Sequence, residues 1–130
     1  MTSAVAAVAK IANVIVPTAD VDRALAFYTG PLGFEKRVDI PFGDNYRWVE
    51  VAVPGAETTI AIAPPREGDP SGGRETGISL YTEDIDAMHA QLAAAGVDVD
   101  AEVSRLGGPV PPMFWFRDPE ANVLLMVGAG

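Results

Sequence analysis

Residues 10–17 alternate and are rich in Ile and Val, which predicts a strand. Thr18 or Asp20 then offers a side-chain oxygen to the free N–H groups of a helix start. The helix runs to about Thr29, with Val21, Ala24, Leu25 and Tyr28 at helical spacing on one face. Gly30, Pro31 and Gly33 stop it. Strands are predicted over residues 35–40, 46–53 and 58–63, with turns over 41–45 and 54–57. Residues 64–73 are breakers and polar residues, the composition of a linker. The pattern then starts again: a strand over 77–81, a helix from Ile85 to about Ala95 stopped by Gly96, and strands over 97–103, 113–117 and 123–127. Thr18-Ala19-Asp20-Val21-Asp22 returns as Thr82-Glu83-Asp84-Ile85-Asp86, each at the strand-to-helix joint. The reading is a single α+β domain over residues 1–130. It consists of two βαβββ modules, at about 10–63 and 77–128, joined by a linker at about 64–76.

Composition narrows the chemistry. The chain has 130 residues, enough for one domain with a real core. It has no cysteine, which removes disulfides, thiolate metal sites and cysteine nucleophiles. Its net charge of −9 argues against nucleic acid and anionic membrane surfaces as partners. No apolar run is long enough to span a bilayer. The apolar start, residues 1–10, lacks a basic leading segment and reads as a loose tail of a soluble, cytoplasmic protein.

Several local motifs carry a family likeness. They are Asp20 with Ala24-Leu25-Ala26-Phe27-Tyr28, then Leu32-Gly33-Phe34, Arg47-Trp48-Val49-Glu50-Val51, the second Thr-x-Asp joint, and Phe116-Arg117-Asp118-Pro119. In combination they resemble the vicinal oxygen chelate superfamily, which includes glyoxalase I, extradiol dioxygenases and bleomycin-resistance proteins. The resemblance implies two paired βαβββ modules curled around a concave pocket, and a homodimer. It implies no single chemistry, because the superfamily spans many. In its metal-dependent members four strand positions supply ligands. Here those positions hold Asn13, Gly77, Leu125 and a residue near Ala61, and the neighbours Ile60 and Ile62 cannot ligate either. The chain also has a single histidine, His89, so neither a two-His iron site nor a His-rich zinc site can be built from one copy. No cofactor is expected; a divalent metal in a non-standard site is the alternative.

If Asn13 faces the concavity, strand alternation places Ile11 and Ile15 beside it and turns Val14 and Val16 toward the helix. The same parity turns Trp48, Glu50, Thr59, Ala61, Ser79, Tyr81, Val123, Leu125 and Val127 inward. Trp115 or Phe114 adds a second aromatic wall. The expected ligand-binding residues are therefore Asn13, Trp48, Thr59, Ser79, Tyr81, Trp115 and Leu125, an apolar lining with sparse orienting groups. An acidic group beside aromatics suits a cationic or hydrogen-bond-donating planar ligand. Glu50 reads either as a general base raised by apolar surroundings or as a carboxylate paired with Arg47 or Arg117. Asn13 reads equally as a ligand-orienting amide or as a polar residue at a dimer seam. The two tryptophans divide between core and ligand stack, and His89 reads as a packing residue on its helix. Asp118-Pro119-Glu120-Ala121-Asn122 reads as a structural turn in which Ala121 or Asn122 takes the left-handed conformation. Two functions follow: a small-molecule binder of the bleomycin-resistance type without a catalytic metal, or a metal-dependent lyase or dioxygenase with a non-standard site.

Overall fold

Asp20 and Asp84 each cap a helix by accepting a hydrogen bond at 3.0 Å from the backbone N–H three residues on, those of Arg23 and Ala87. The computed structural model describes residues 5–44 and 46–129; the first four residues of the tail and Asn45 of the predicted turn lie outside them. Module one comprises β1 (Asn13–Pro17), α1 (Val21–Thr29), β2 (Glu35–Phe42), β3 (Tyr46–Ala52) and β4 (Thr59–Ala63). Module two comprises β5 (Glu75–Thr82), α2 (Ile85–Ala94), β6 (Asp98–Val99), β7 (Met113–Arg117) and β8 (Val123–Gly128). The βαβββ order therefore repeats. Each module forms its own four-stranded mixed sheet, in the order β1-β4-β3-β2 and β5-β8-β7-β6, with the first and last strand of each module parallel. The sheets do not close into a barrel.

The alternation in sequence becomes burial in space. Val16, Val49, Val51, Ile60 and Ile62 of the first sheet are buried, as are Phe114, Phe116, Leu124 and Met126 of the second. With Ala24, Phe27 and Tyr28 of α1 and Ile85 and Leu92 of α2, all of these except Val49 form one hydrophobic cluster. The helices and the helix-side faces of both sheets thus share a single interior, with the Phe27 and Phe116 rings 6.4 Å apart. The opposite sheet faces point outward.

A polar seam fastens the modules. The Asp118–Asn122 turn of module two meets the β1–α1 joint of module one. Asp118 is 5% exposed and its carboxylate accepts from Glu120 N–H, Asn122 N–H, the Asn122 side-chain amide and the Tyr28 hydroxyl, all at 2.9–3.0 Å. The Asn122 amide also donates to Pro17 O at 3.0 Å. Glu120 Oε1 accepts from Thr18 Oγ1 at 2.8 Å, Ala19 N–H at 2.9 Å and Asp20 N–H at 3.2 Å. Burial, and then the charge and hydrogen bond of Asp118, push the Tyr28 hydroxyl above its ordinary range.

One expectation is corrected and one open alternative is decided. The strand predicted over residues 97–103 is only Asp98–Val99. The Asp100 carboxylate accepts the Trp115 N–H at 3.2 Å and the Arg117 guanidinium at 2.9 Å, so a side chain takes a donor that a continuing ladder would use. In the turn, Ala121 rather than Asn122 has positive φ, at 62°. Asn122 is fully buried and its amide is spent on Pro17 and Asp118.

Candidate functional site

The expected site residues fall into two patches, one on each outward sheet face. On the first sheet, Asn13 is in register with Thr59 across β1–β4, and Glu50 pairs with Ala61 across β3–β4. Glu50 Oε1 accepts from Thr59 Oγ1 at 2.6 Å and Oε2 accepts from Trp48 Nε1 at 2.7 Å. Both carboxylate oxygens are therefore occupied by donors from neighbouring strand positions. These hydrogen bonds, Thr59 first and Trp48 second, outweigh burial and hold the Glu50 carboxyl below its ordinary value. That is the reverse of a base poised near neutrality. Neither arginine considered as its partner reaches it: Arg47 pairs with Asp22 and Asp39, and Arg117 with Asp98 and Asp100. What Glu50 does is fix the orientation of the Trp48 indole.

On the second sheet, Ser79, Leu125 and Trp115 lie in one cross-strand row over β5, β8 and β7. Tyr81 stands beside them, paired with Val127. Tyr81 is 63% exposed and Trp115 36%, while Ile15 on the first patch is 55% exposed. The two patches are thus open aromatic and aliphatic surfaces; within one copy Thr59 and Ser79 line one hollow of about 200 Å³ with Val14, Phe34 and Ile78, but the aromatics Trp48, Tyr81 and Trp115 do not join it. The reason is the shared core: with the helix sides facing each other, the outward faces cannot also do so. Of the two hairpin aromatics, Phe114 is core, with no exposure, and Trp115 is surface. His89 is a packing residue, its Nε2 2.7 Å from Asp100 O and its ring edge-on to Phe114 at 4.9 Å.

The first patch continues into a cleft of about 240 Å³ with Ile15, Trp48 and Ala63 on the sheet side. Its outer wall is the linker, including Pro65, Arg66 and Arg74. Sequence reasoning treated this segment as a connector. The available signal was two arginines among breakers in an acidic chain. A wider, open hollow at the α1 N-terminus is lined by Asp20, Asp22, Asp44 and Arg47. The only cation there, Arg47, is already paired with Asp22 and Asp39.

The four positions that resemble metal-ligand sites hold an amide, a glycine, an alanine and a leucine, and this donor set does not fit a divalent ion. Among the described residues, no group of three His, Cys, Asp or Glu side chains is close enough to hold a metal ion. Nor is any helix among them long and apolar enough to cross a membrane.

Residues 10–126 match the family model of the Glyoxalase/Bleomycin resistance protein/Dioxygenase superfamily, and the chain belongs to that superfamily. Its relatives sharpen the picture. An uncharacterized Bacillus subtilis protein, YetH, is 30% identical over 90% of this chain and 96% of its own. TnmS3, an antibiotic binding protein from Streptomyces sp. CB03234, has a similar structure, with a TM-score of 0.82 and 31% identity over 96% of this chain and 99% of that one. A superfamily member from Sphaerobacter thermophilus gives a TM-score of 0.84 at 34% identity, covering 93% of this chain and 98% of that one.

Proposed function

We propose that the protein binds a planar aromatic small molecule without a catalytic metal, and that it does so as a homodimer in the cytoplasm. Each outward patch supplies half of the site. The first contributes Asn13, Trp48 and Thr59, with Glu50 steering Trp48; the second contributes Ser79, Tyr81, Trp115 and Leu125. A second copy brings the first patch of one chain against the second patch of the other, which buries both and encloses the ligand. The observation that carries the reading is the Glu50–Trp48–Thr59 arrangement. A carboxylate on an open sheet face takes the Thr59 hydroxyl on one oxygen and fixes the Trp48 indole with the other. A fixed ring loses little conformational entropy when a flat ligand stacks on it. The likeness to an antibiotic binding protein supports a ligand of natural-product size.

The test is a thermal-shift screen of chelator-treated protein against polycyclic aromatic antibiotics. A compound at about one hundred times its Kd raises stability by about 2.7 kcal/mol. The stabilisation is expected to disappear in Trp48→Ala and to survive the chelator. A screen in which no compound stabilises the fold, or one in which binding needs an added divalent ion, contradicts the proposal.

A further inference from the structure

The chain carries 18 Asp and Glu against 9 Lys and Arg, so a cation without a carboxylate partner is unexpected. Among the described residues, Arg23, Lys36, Arg37, Arg47, Arg105 and Arg117 all reach a carboxylate within 4 Å. Lys10, Arg66 and Arg74 do not. The two free guanidiniums line the same cleft, the one that opens beside Trp48 and Ile15. Asp69 lines it too, without an ion pair to either.

The linker that carries them is held in place. Asp69 N–H donates to Arg66 O at 2.9 Å and closes a turn. Arg74 N–H donates to Asn122 Oδ1 at 3.1 Å, and Arg74 O accepts from Val123 N–H at 2.8 Å. Between them Gly73 N–H donates to Glu120 O at 2.8 Å. Gly72 lies so close to the Asp118–Asn122 turn that an added Cβ would stand 2.1 Å from Glu120 O. The same turn that fastens the two modules therefore also anchors the backbone that presents Arg74.

We infer that Arg66 and Arg74 form an anion-binding end to the ligand site, so that the ligand is a planar aromatic carrying one negative charge, such as a carboxylate or phenolate. The inference rests on the proposed site at Trp48 and narrows its ligand class. With Glu50 already satisfied by Trp48 and Thr59, its carboxylate is not free to hold a cationic ligand, which the sequence had suggested. Two guanidiniums against one Asp69 leave the cleft a net single positive charge. Guanidinium donors suit a carboxylate, and the indole face suits the ring that bears it.

Titration calorimetry with three matched probes separates the possibilities: 2-naphthoate, 2-naphthamide and 2-naphthylmethylammonium. Naphthoate is expected to bind about tenfold more tightly than the amide, and the ammonium least tightly. In Arg66→Gln/Arg74→Gln, naphthoate affinity should fall to that of the amide, while amide affinity and Tm stay as in the parent. Raising salt to about 0.5 M should weaken naphthoate alone. If the three probes bind equally and Trp48→Ala abolishes all three, the aromatic site stands and the anion end is refuted. A naphthoate preference that survives the double substitution also refutes it. If none of the probes binds, both the site and its anion end are overturned.

Discussion

Glu50 and Trp48 show how one side chain can set the function of another. Exchanging Glu50 for Gln keeps one acceptor oxygen for the Trp48 N–H and turns an NH₂ toward Thr59, whose hydroxyl must rotate to accept it, so two charge-assisted bonds become neutral ones. On a half-buried face that weakening costs about 1 kcal/mol. Glu50→Gln is therefore expected to lower stability by about that amount in chemical denaturation and to weaken aromatic ligands several-fold. Because the folded-state carboxyl is held below its ordinary value, its stabilising effect is complete above the unfolded value near ~4.3 and disappears as pH falls through the folded one. Ligand affinity should consequently be flat from about pH 6 to 9, since no titration of Glu50 falls there. A midpoint near neutrality that disappears in Glu50→Gln would restore Glu50 as a proton acceptor. The sequence revealed that Glu50 and Trp48 share a face, because strand alternation fixes that. It did not reveal that Glu50 bonds Trp48 and Thr59 rather than Arg47 or Arg117. Which donor a carboxylate finds depends on interstrand register and on competition, and Asp39 and Asp100 are better placed for those arginines.

Turns, caps and strands were legible to different degrees. The capped helices and the hairpin strands follow from local rules: Asp at each helix start, glycine after each helix end, and period-two burial along β8. The second strand region of module two was overestimated, because Asp98 and Asp100 look like ordinary outward residues until Arg117 lies across from them. The Asp118–Asn122 turn contains the left-handed Ala121, the only non-glycine residue with positive φ among the described residues. An L side chain is disfavoured in that conformation. Ala121→Gly should therefore raise stability by about 1 kcal/mol, less the extra freedom glycine has in the unfolded chain. Thermal unfolding measures it. An unchanged or lower Tm would show that the turn holds Ala121 without strain.

At the scale of the molecule, the seam around Glu120 decides how two small modules act as one body. Burial pushes the Glu120 carboxyl up, but hydrogen bonds from Thr18, Ala19 and Asp20 and the charge of Arg23 outweigh it and hold the group below its ordinary value. Its contribution is thus present above the unfolded glutamate value and lost as pH falls through the folded one. Glu120→Gln should cost about 1–2 kcal/mol at neutral pH and progressively less in acid, as pH falls through the lowered folded-state value. An equal cost at neutral pH and in acid would remove the carboxylate from the seam. The repeat and its two faces could be read from sequence, but not the way one chain disposes them. Local periodicity says which side of a strand is apolar. It does not say that the helix sides of both modules would merge into one core and leave Ile15, Tyr81 and Trp115 outward. Under the proposed function, that arrangement makes a second copy part of the binding site. The most direct test is a crystal structure of the protein with an aromatic ligand found by thermal shift. The ligand should lie on the Trp48 indole, between the first patch of one copy and Tyr81 and Trp115 of another, with no ion coordinated beside Asn13. A ligand seated away from Trp48, enclosed by one chain alone, or bound through a metal would contradict the account.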